Sequence, residues 1–402
     1  MQRTLFENGC IMIYVGIDVA KSKHDCCILG SNGQIIRESF TFANNRDGFE
    51  QLQAEIHHAM TQTGLDQIKA GFEATGHYNE NLAAFLRSSG IEPVVFNPLQ
   101  VNLFRKSQSL RKTKTDKVDA KCIAQLLMSA ESNPVSISYQ IQELKTLTRH
   151  RFRLISQQTK LKQSVSRLVD ILFPELPSVC CSVTQVSIKA LLLELNGVRQ
   201  IAACRIDRLA NILAKASHGR YGREKALEIK ALAQRSIGSN SPATALELRL
   251  TLQQLDFLQL QIRDLNKAIQ AAVASTQSPL LTIPGIGIIL AAIILSEIGD
   301  IHRFSSPDKL QAFAGLDPST YQSGKFKADR TPMVKRGSTY LRWALIQAAR
   351  QVTLHCESFR RYLAVKLAQG KHYFVALGHL AKKLIRVIFR LMTANEVFVP
   401  QS

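Results

Sequence analysis

Over the first hundred positions, short apolar runs alternate with stretches of helical spacing. Ile13 to Ile17 is apolar almost throughout and reads as a buried strand, with His24 to Leu29 as a second. Ser31-Asn32-Gly33 is a turn signal before Gln34 to Phe42, so a hairpin-rich sheet opens the chain. Helical spacing follows over Asp47 to Met60, and Ala70 to Glu73 ends another strand. A helix is predicted over Asn79 to Ser89 and a third buried strand over Pro93 to Phe96. Strands alternating with helices predict an α/β layer architecture.

The pattern changes at about Ile141. From there to Val273 the residues are nearly all helix formers, with turn-rich breaks at Phe173 to Val179 and Ser236 to Pro242. Leu or Ile at 248, 252, 255, 258, 262, 265 and 269 makes a heptad-like seam. Such a seam fits either an antiparallel hairpin within one chain or a dimerising coil. A helical pattern resumes over Leu280 to Gly315, a basic, turn-rich loop spans Asp317 to Gly337, and helices are expected over Ser338 to Val352 and Phe374 to Met392. Trp343 and Phe374 fit helix core faces, while Lys382, Lys383, Arg386 and Arg390 read as a solvated face of the last helix. The expected class is therefore α/β plus all-α, in three domains: 1–135 with a mixed sheet and helices, 136–275 helical or coiled-coil, and 276–402 mainly helical.

Charge narrows the function. The 402 residues carry 51 Lys and Arg against 31 Asp and Glu, a net charge of +20. With 46% apolar and 20% charged residues, the chain buries real cores and is not a disordered polyelectrolyte. The excess predicts a polyanionic partner, nucleic acid or an anionic membrane surface. A membrane span is disfavoured, because the apolar stretch Leu280 to Leu295 is short and interrupted by Pro284, Gly285 and Gly287. Met1 to Gly9 lacks the apolar core of a signal peptide, and Met12, directly before the first strand, is an alternative start. The eight cysteines form no CxxC pair, so reduced thiols in a soluble, cytoplasmic, nucleoid-associated protein are expected.

Against that basic background the acids stand out. Asp18 lies at the end of one apolar strand and Glu73 ends another, so both are held rigidly at a sheet edge. In Lys114-Thr115-Asp116-Lys117-Val118-Asp119, the two aspartates share one face of a helix that Thr115 can cap. Four such carboxylates suit one or two Mg²⁺ ions for in-line attack at a phosphodiester. Arg105 to Lys121 holds seven Lys or Arg, Arg111 and Lys114 among them, a flank suited to phosphates.

GIDVAK (Gly16 to Lys21), FEATGHY (Phe72 to Tyr78) and KTDKVDAK (Lys114 to Lys121) resemble the RuvC-like Asp-Glu-Asp-Asp domain of the insertion-sequence one-ten family of transposases, relatives of the Piv DNA invertases. The resemblance continues through Ile283-Pro284-Gly285-Ile286-Gly287, Phe313 to Pro318, Tyr321-Gln322-Ser323-Gly324-Lys325, and Lys335-Arg336-Gly337-Ser338 to Leu341-Arg342. It implies a ribonuclease-H-type domain whose Asp18, Glu73, Asp116 and Asp119 bind Mg²⁺, and a C-terminal domain with Ser323 as nucleophile. It further implies a covalent phosphoserine link to DNA and a structured noncoding bridge RNA pairing with donor and target DNA.

The C-terminal residues suit that chemistry. A serine hydroxyl needs activation, and Ser323 is followed by Lys325, Lys327, Arg330, Lys335 and Arg336, which suit a charged phosphorane. Ile283 to Gly287 looks like the turn of a helix-hairpin-helix, where Gly285 and Gly287 either let amides approach a phosphate or simply join two helices. The expected partners are donor and target DNA, the guide RNA and further copies of the chain, since recombination holds four DNA ends. A RuvC-like structure-selective nuclease, a Piv-type site-specific invertase and a catalytically idle nucleic-acid binder are the competing readings.

Overall fold

The computed structural model describes residues 12–74, 76–108, 116–129, 139–195, 197–319, 322–323, 326–327 and 332–400, without the side chains of residues 116, 117, 139, 140, 322, 323, 326 and 327. The chain divides into two compact units, Met1–Ile137 and Ser138–Ser402.

The first unit is built on a five-stranded sheet. Its strands are β1 (Met12–Val19), β2 (Lys23–Leu29), β3 (Ile35–Ala43), β4 (Gln67–Glu73) and β5 (Val94–Phe96), in the order β3-β2-β1-β4-β5. The first three pair antiparallel, and β1, β4 and β5 are parallel. Helix α1 (Arg46–Thr63) connects β3 to β4 and α2 (Glu80–Ser88) connects β4 to β5, followed by α3 (Pro98–Gln108) and α4 (Asp116–Ser129). This is the ribonuclease-H-type mixed sheet expected of a RuvC-like domain, and the predicted strands and first two helices lie where the hydrophobic pattern put them. The apolar pattern set no helix at α3.

β1 is covered on both faces. Ile13, Val15, Ile17 and Val19 point to one side, into a core with Phe49, Leu52 and Ile56 of α1 and Leu82 and Leu86 of α2. The alternate residues face α4. At Gly16 nothing stands between strand and helix: a Cβ there would lie 2.3 Å from the Ala124 amide nitrogen and 2.4 Å from the Ala120 carbonyl oxygen. Glycine at 16 and alanines at 120 and 124 thus let the α4 backbone rest on the strand.

The second unit is helical. Helix α5 (Tyr139–Leu172) runs antiparallel to the long helix Pro242–Ala274, with Arg151 donating to Asn266 (2.6 Å) and Arg167 to Glu247 (2.7 Å). Between them come α6 (Val186–Glu194), α7 (Val198–Ala203), α8 (Ile206–Ser217) and α9 (Arg223–Gln234), so the long partner of α5 is α10. The seam residues Leu248, Leu252, Leu255, Leu258, Ile262 and Ile269 are buried, and Leu265 is packed beside Leu154 of α5. The seam is an intrachain hairpin. Its far end is closed by α6–α9 around Val165, Leu168 and Leu172.

At the other end of the hairpin, Leu144, Ile269 and Val273 pack on Ala292 of α11 (Ile288–Ile298). α12 (Pro307–Phe313) follows. The segment expected as a plain loop contains two short antiparallel strands, β6 (Gln322–Ser323) and β7 (Phe326–Lys327), before α13 (Thr339–His355), α14 (Glu357–Ala368) and α15 (Tyr373–Ala394). α11, α13 and α15 share the core. Trp343 packs partly against it, as expected. Phe374 does not: it is 70% exposed, because it lies in the first turn of α15, ahead of the buried stripe that begins at Ala376. On the same helix the Lys383 ammonium lies 4.8 Å from the Tyr362 ring centre, while Arg386 and Arg390 are exposed.

Of the cysteines, the seven described are free thiols and five are buried. No helix among the described residues is long and apolar enough to cross a membrane.

Replacing Gly16 by alanine is expected to cost about 1–3 kcal/mol, because α4 must retreat from β1. Urea denaturation of the full-length protein measures the loss.

Candidate active site

Two parallel strands and one helix gather the acids. In the β1–β4 register Gly16 pairs with Gly71 and Ile17 with Phe72, so the next pair is Asp18 beside Glu73. Both follow by two residues a glycine that faces α4, since a Cβ on Gly71 would meet Leu127 at 2.9 Å. Alternation therefore sets both carboxylates on the α4 face. Met128 lies 3.6 Å from where a Cβ on Gly33 would stand, past the end of β2 where Leu29 pairs with Tyr14, which puts the N-terminal turn of α4 at the Asp18 end. That turn begins at Asp116 and carries Asp119, only 8% exposed.

Asp119 is held by Arg105 of α3, whose Nη1 donates to both carboxylate oxygens at 2.9 and 3.2 Å. The hydrogen bond to Asp119 raises the Arg105 pKa further, and the charge of Glu73 adds to it. Cys122, one turn along α4, is pushed up to about 11 by burial first, then by the charge of Asp119, with Glu73 contributing. Glu73, Asp119 and Arg105 thus share one electrostatic neighbourhood.

Sequence reasoning missed a fifth acid. Asp25 of β2 is the direct cross-strand partner of Asp18 and is 5% exposed, with one oxygen accepting from Thr41 at 2.6 Å. Only the register of the first hairpin reveals it. Like charges directly opposite each other are unfavourable, and an all-carboxylate oxygen set is the donor chemistry of a hard divalent cation. The residues present therefore fit Mg²⁺. Among the described residues no three His, Cys, Asp or Glu side chains stand at metal-holding distance, and the Asp116 side chain lies outside that set.

In the second unit, Ser323 pairs with Phe326 and Gln322 with Lys327, so the serine sits at the tip of a hairpin with two residues between its strands. Its side chain is outside the described set, as are Arg111, Lys114 and Lys325 altogether. The root of the hairpin is zipped by a Pro318–Met333 bridge, by Ser319 N donating to Pro332 O at 2.8 Å, and by Lys335 N donating to Gly315 O at 3.2 Å. Lys335 and Arg336 are exposed there, and Arg342 donates to the Lys335 carbonyl at 3.0 Å.

Gly285 has a packing reason. Its φ is 96°, and a Cβ would come 2.8 Å from the Gln351 backbone of α13. Gly287 is exposed with open space around it, and it starts α11 without a side-chain cap.

Two family models match the chain. One, for the IS110 DEDD transposase, covers residues 15–174, and the other, for the IS116/IS110/IS902 transposase family, covers residues 277–364. The chain belongs to the IS110 transposase family. The first match holds all four acids and the second holds Ser323. Similar proteins include an insertion element IS116 uncharacterized 44.8 kDa protein of Streptomyces clavuligerus, 24% identical over 96% of each chain. A pilin gene-inverting protein of Moraxella bovis is 26% identical over 96% of this chain and 97% of its own. The transposase for insertion sequence element IS1111A of Coxiella burnetii is 24% identical over 96% and 90%.

Within the second family match, one buried carboxylate anchors the hairpin root. Glu297, 1% exposed near the end of α11, accepts from Arg149 of α5 at 2.6 and 3.0 Å and from Ser338 Oγ at 2.8 Å. Ser338 also caps α13, its hydroxyl oxygen accepting from Leu341 N at 3.1 Å. Burial by itself pushes the Glu297 carboxyl up, but Arg149, Lys145 and Ser338 more than reverse it and hold it below the usual range. A glutamate within an apolar helix gave the only sequence signal, and nothing local named its partners.

Glu297→Gln is expected to destabilise the protein by about 3–5 kcal/mol, the effect of breaking a buried pair. Because the folded-state pKa is depressed, the contribution is complete above the unfolded glutamate value of about 4.3 and is lost as pH falls through the folded value. Denaturation midpoints of both proteins between pH 3 and 7 should show a constant gap above about pH 5 that narrows in acid.

Proposed function

We propose that this chain is a Mg²⁺-dependent DNA recombinase that cuts and rejoins strands to move an insertion sequence, guided by a structured bridge RNA. The observation that carries the reading is that Asp18 and Glu73 lie side by side on the α4 face of a ribonuclease-H-type sheet, with the buried Asp119 in the first turn of that helix. Asp18, Glu73, Asp116 and Asp119 hold the metal in this reading. When bound, the ion supplies charge neutralisation at a phosphate and lowers the pKa of an oxygen beside it.

The protein's own part is a phosphodiester exchange. The Ser323 hydroxyl attacks a strand phosphorus, an Oγ–P bond forms, and the P–O bond to the departing sugar oxygen breaks. The proton leaving Ser323 ends on that sugar oxygen. One phosphodiester replaces another, so the step reverses when a new sugar hydroxyl attacks the phosphoserine. Lys325, Lys335 and Arg336 neutralise the phosphorane, and Arg111 and Lys114 bind phosphates beside the acids. Gly287 and the uncapped start of α11 approach a backbone phosphate, while Gly285 serves the joint. Copies of the chain assemble to hold the DNA ends.

Site-specific inversion is the second reading, favoured by near full-length similarity to the Moraxella pilin gene-inverting protein. It uses the same chemistry on a different DNA arrangement.

Incubating the protein with a donor junction, its flanking RNA and Mg²⁺, then denaturing, should yield a DNA adduct that mass spectrometry maps to Ser323. Ser323→Ala should lower adduct formation on the order of 10⁴-fold or more with DNA affinity kept, and Asp119→Asn should abolish it. A Ser323→Ala protein that cuts at the full rate makes the chain a hydrolytic nuclease instead.

A further inference from the structure

We propose that Lys145, Arg149 and Arg303 form a phosphodiester-binding pocket beside the root of the Ser323 hairpin, gripping a nucleic-acid backbone there. The choice of a nucleic acid rests on the recombinase reading, whereas the pocket rests on the following geometry.

Helix α5 presents Lys145 and Arg149 one turn apart. Thr148 is 2% exposed, and its hydroxyl meets that of Ser296 at 3.1 Å, pinning this turn against the end of α11. Arg149 clasps Glu297 and lies 4.8 Å over the Tyr340 ring. Arg303 stands six residues beyond Glu297. Its guanidinium carbon lies 4.6 Å from the Phe304 ring centre and 4.4 Å from that of Phe313, against a tilted pair of rings, and its Nη2 reaches the Glu297 carbonyl at 3.5 Å.

Two cationic groups here are left over. Arg303 Nε is buried without a partner. Lys145 is half-buried, and among the described residues its ammonium has no hydrogen bond or ion pair. Burial pushes the Lys145 pKa below the ordinary lysine range, Glu297 opposes that, and Arg149 and Arg303 push it further down. The acids facing the cluster are Glu297, already shared by Arg149 and Ser338, and Asp300, one oxygen of which accepts from His302 N at 2.9 Å. A cation buried without a partner is a net cost to folding, and an apolar side chain on the same stem avoids it. The arrangement makes sense with an anion in place. A phosphodiester carries one charge and two free oxygens, which suit a point ammonium and a guanidinium backed by aromatic rings.

The location suits the reaction. Ser338, bound to Glu297, is where the returning strand of the hairpin enters α13. From the bridge at Pro318 to Ser323 the chain reaches at most about 17 Å, so a backbone gripped at the root is near the attacked phosphate.

The test uses full-length protein, a duplex DNA and an RNA hairpin, with affinity followed by fluorescence anisotropy across a KCl series. Lys145→Met should melt at an unchanged or higher temperature. It should also weaken binding of at least one probe about 3–10-fold and reduce the slope of log affinity against log salt by about one. Lys145→Arg should keep the wild-type slope. A change confined to DNA assigns the pocket to the recombined strands, and one confined to RNA assigns it to the guide. A Lys145→Met protein that melts lower, or whose slope is unchanged for both probes, overturns the proposal. Adduct formation reports on the recombinase reading separately. An unchanged slope with the Ser323 adduct intact removes the pocket alone, and an altered slope without any adduct removes recombination alone.

Discussion

The closeness of one helix to one strand organises the first unit. At Gly16 the α4 backbone meets β1 with no side chain between, and the small Ala120 and Ala124 make the approach possible. That contact fixes where the N-terminal turn of α4 ends up, and hence where Asp119 stands relative to the acids of β1 and β4. A face assembled from three separate elements depends on how accurately they abut. Here the accuracy comes from backbone packed on backbone, which has no rotamers to vary.

The second unit uses a different device for the same purpose. Its serine lies on a short hairpin with little core of its own, and it is steadied from the root. Glu297 ties α5, α11 and the cap of α13 to one point, and Gly315 and Gly337 let the two strands close on each other where any larger residue would strike backbone. Buried charge is costly, so its concentration at that root ties a polar network to the placement of the hairpin that carries Ser323.

Much of this was legible in the residues. Short apolar runs marked β1 and β2, the Ser-Asn-Gly turn marked their neighbour, and strand-end carboxylates marked Asp18 and Glu73. The leucine seam marked a helical interface but left its partner open, because a heptad reads alike whether the other helix is in the same chain or another. Asp25 was hidden because its significance lies in a cross-strand register. Arg105, Arg149 and Arg303 were three basic residues among 51, set apart only by what they touch in the folded chain. Phe374 misled because a periodic pattern does not show where on a helix the packing begins.

The antiparallel pairing of α5 with α10 has one more implication. A helix of 33 residues is about 50 Å long, and the seam of Leu and Ile runs along the pair while the clusters at its two ends differ in kind. Such a rod can grow or shrink by matching seven-residue segments in both helices without disturbing either terminus. The reach of the α6–α9 bundle from the Ser323 hairpin is then a ruler that evolution can recut while both ends of the rod stay fixed.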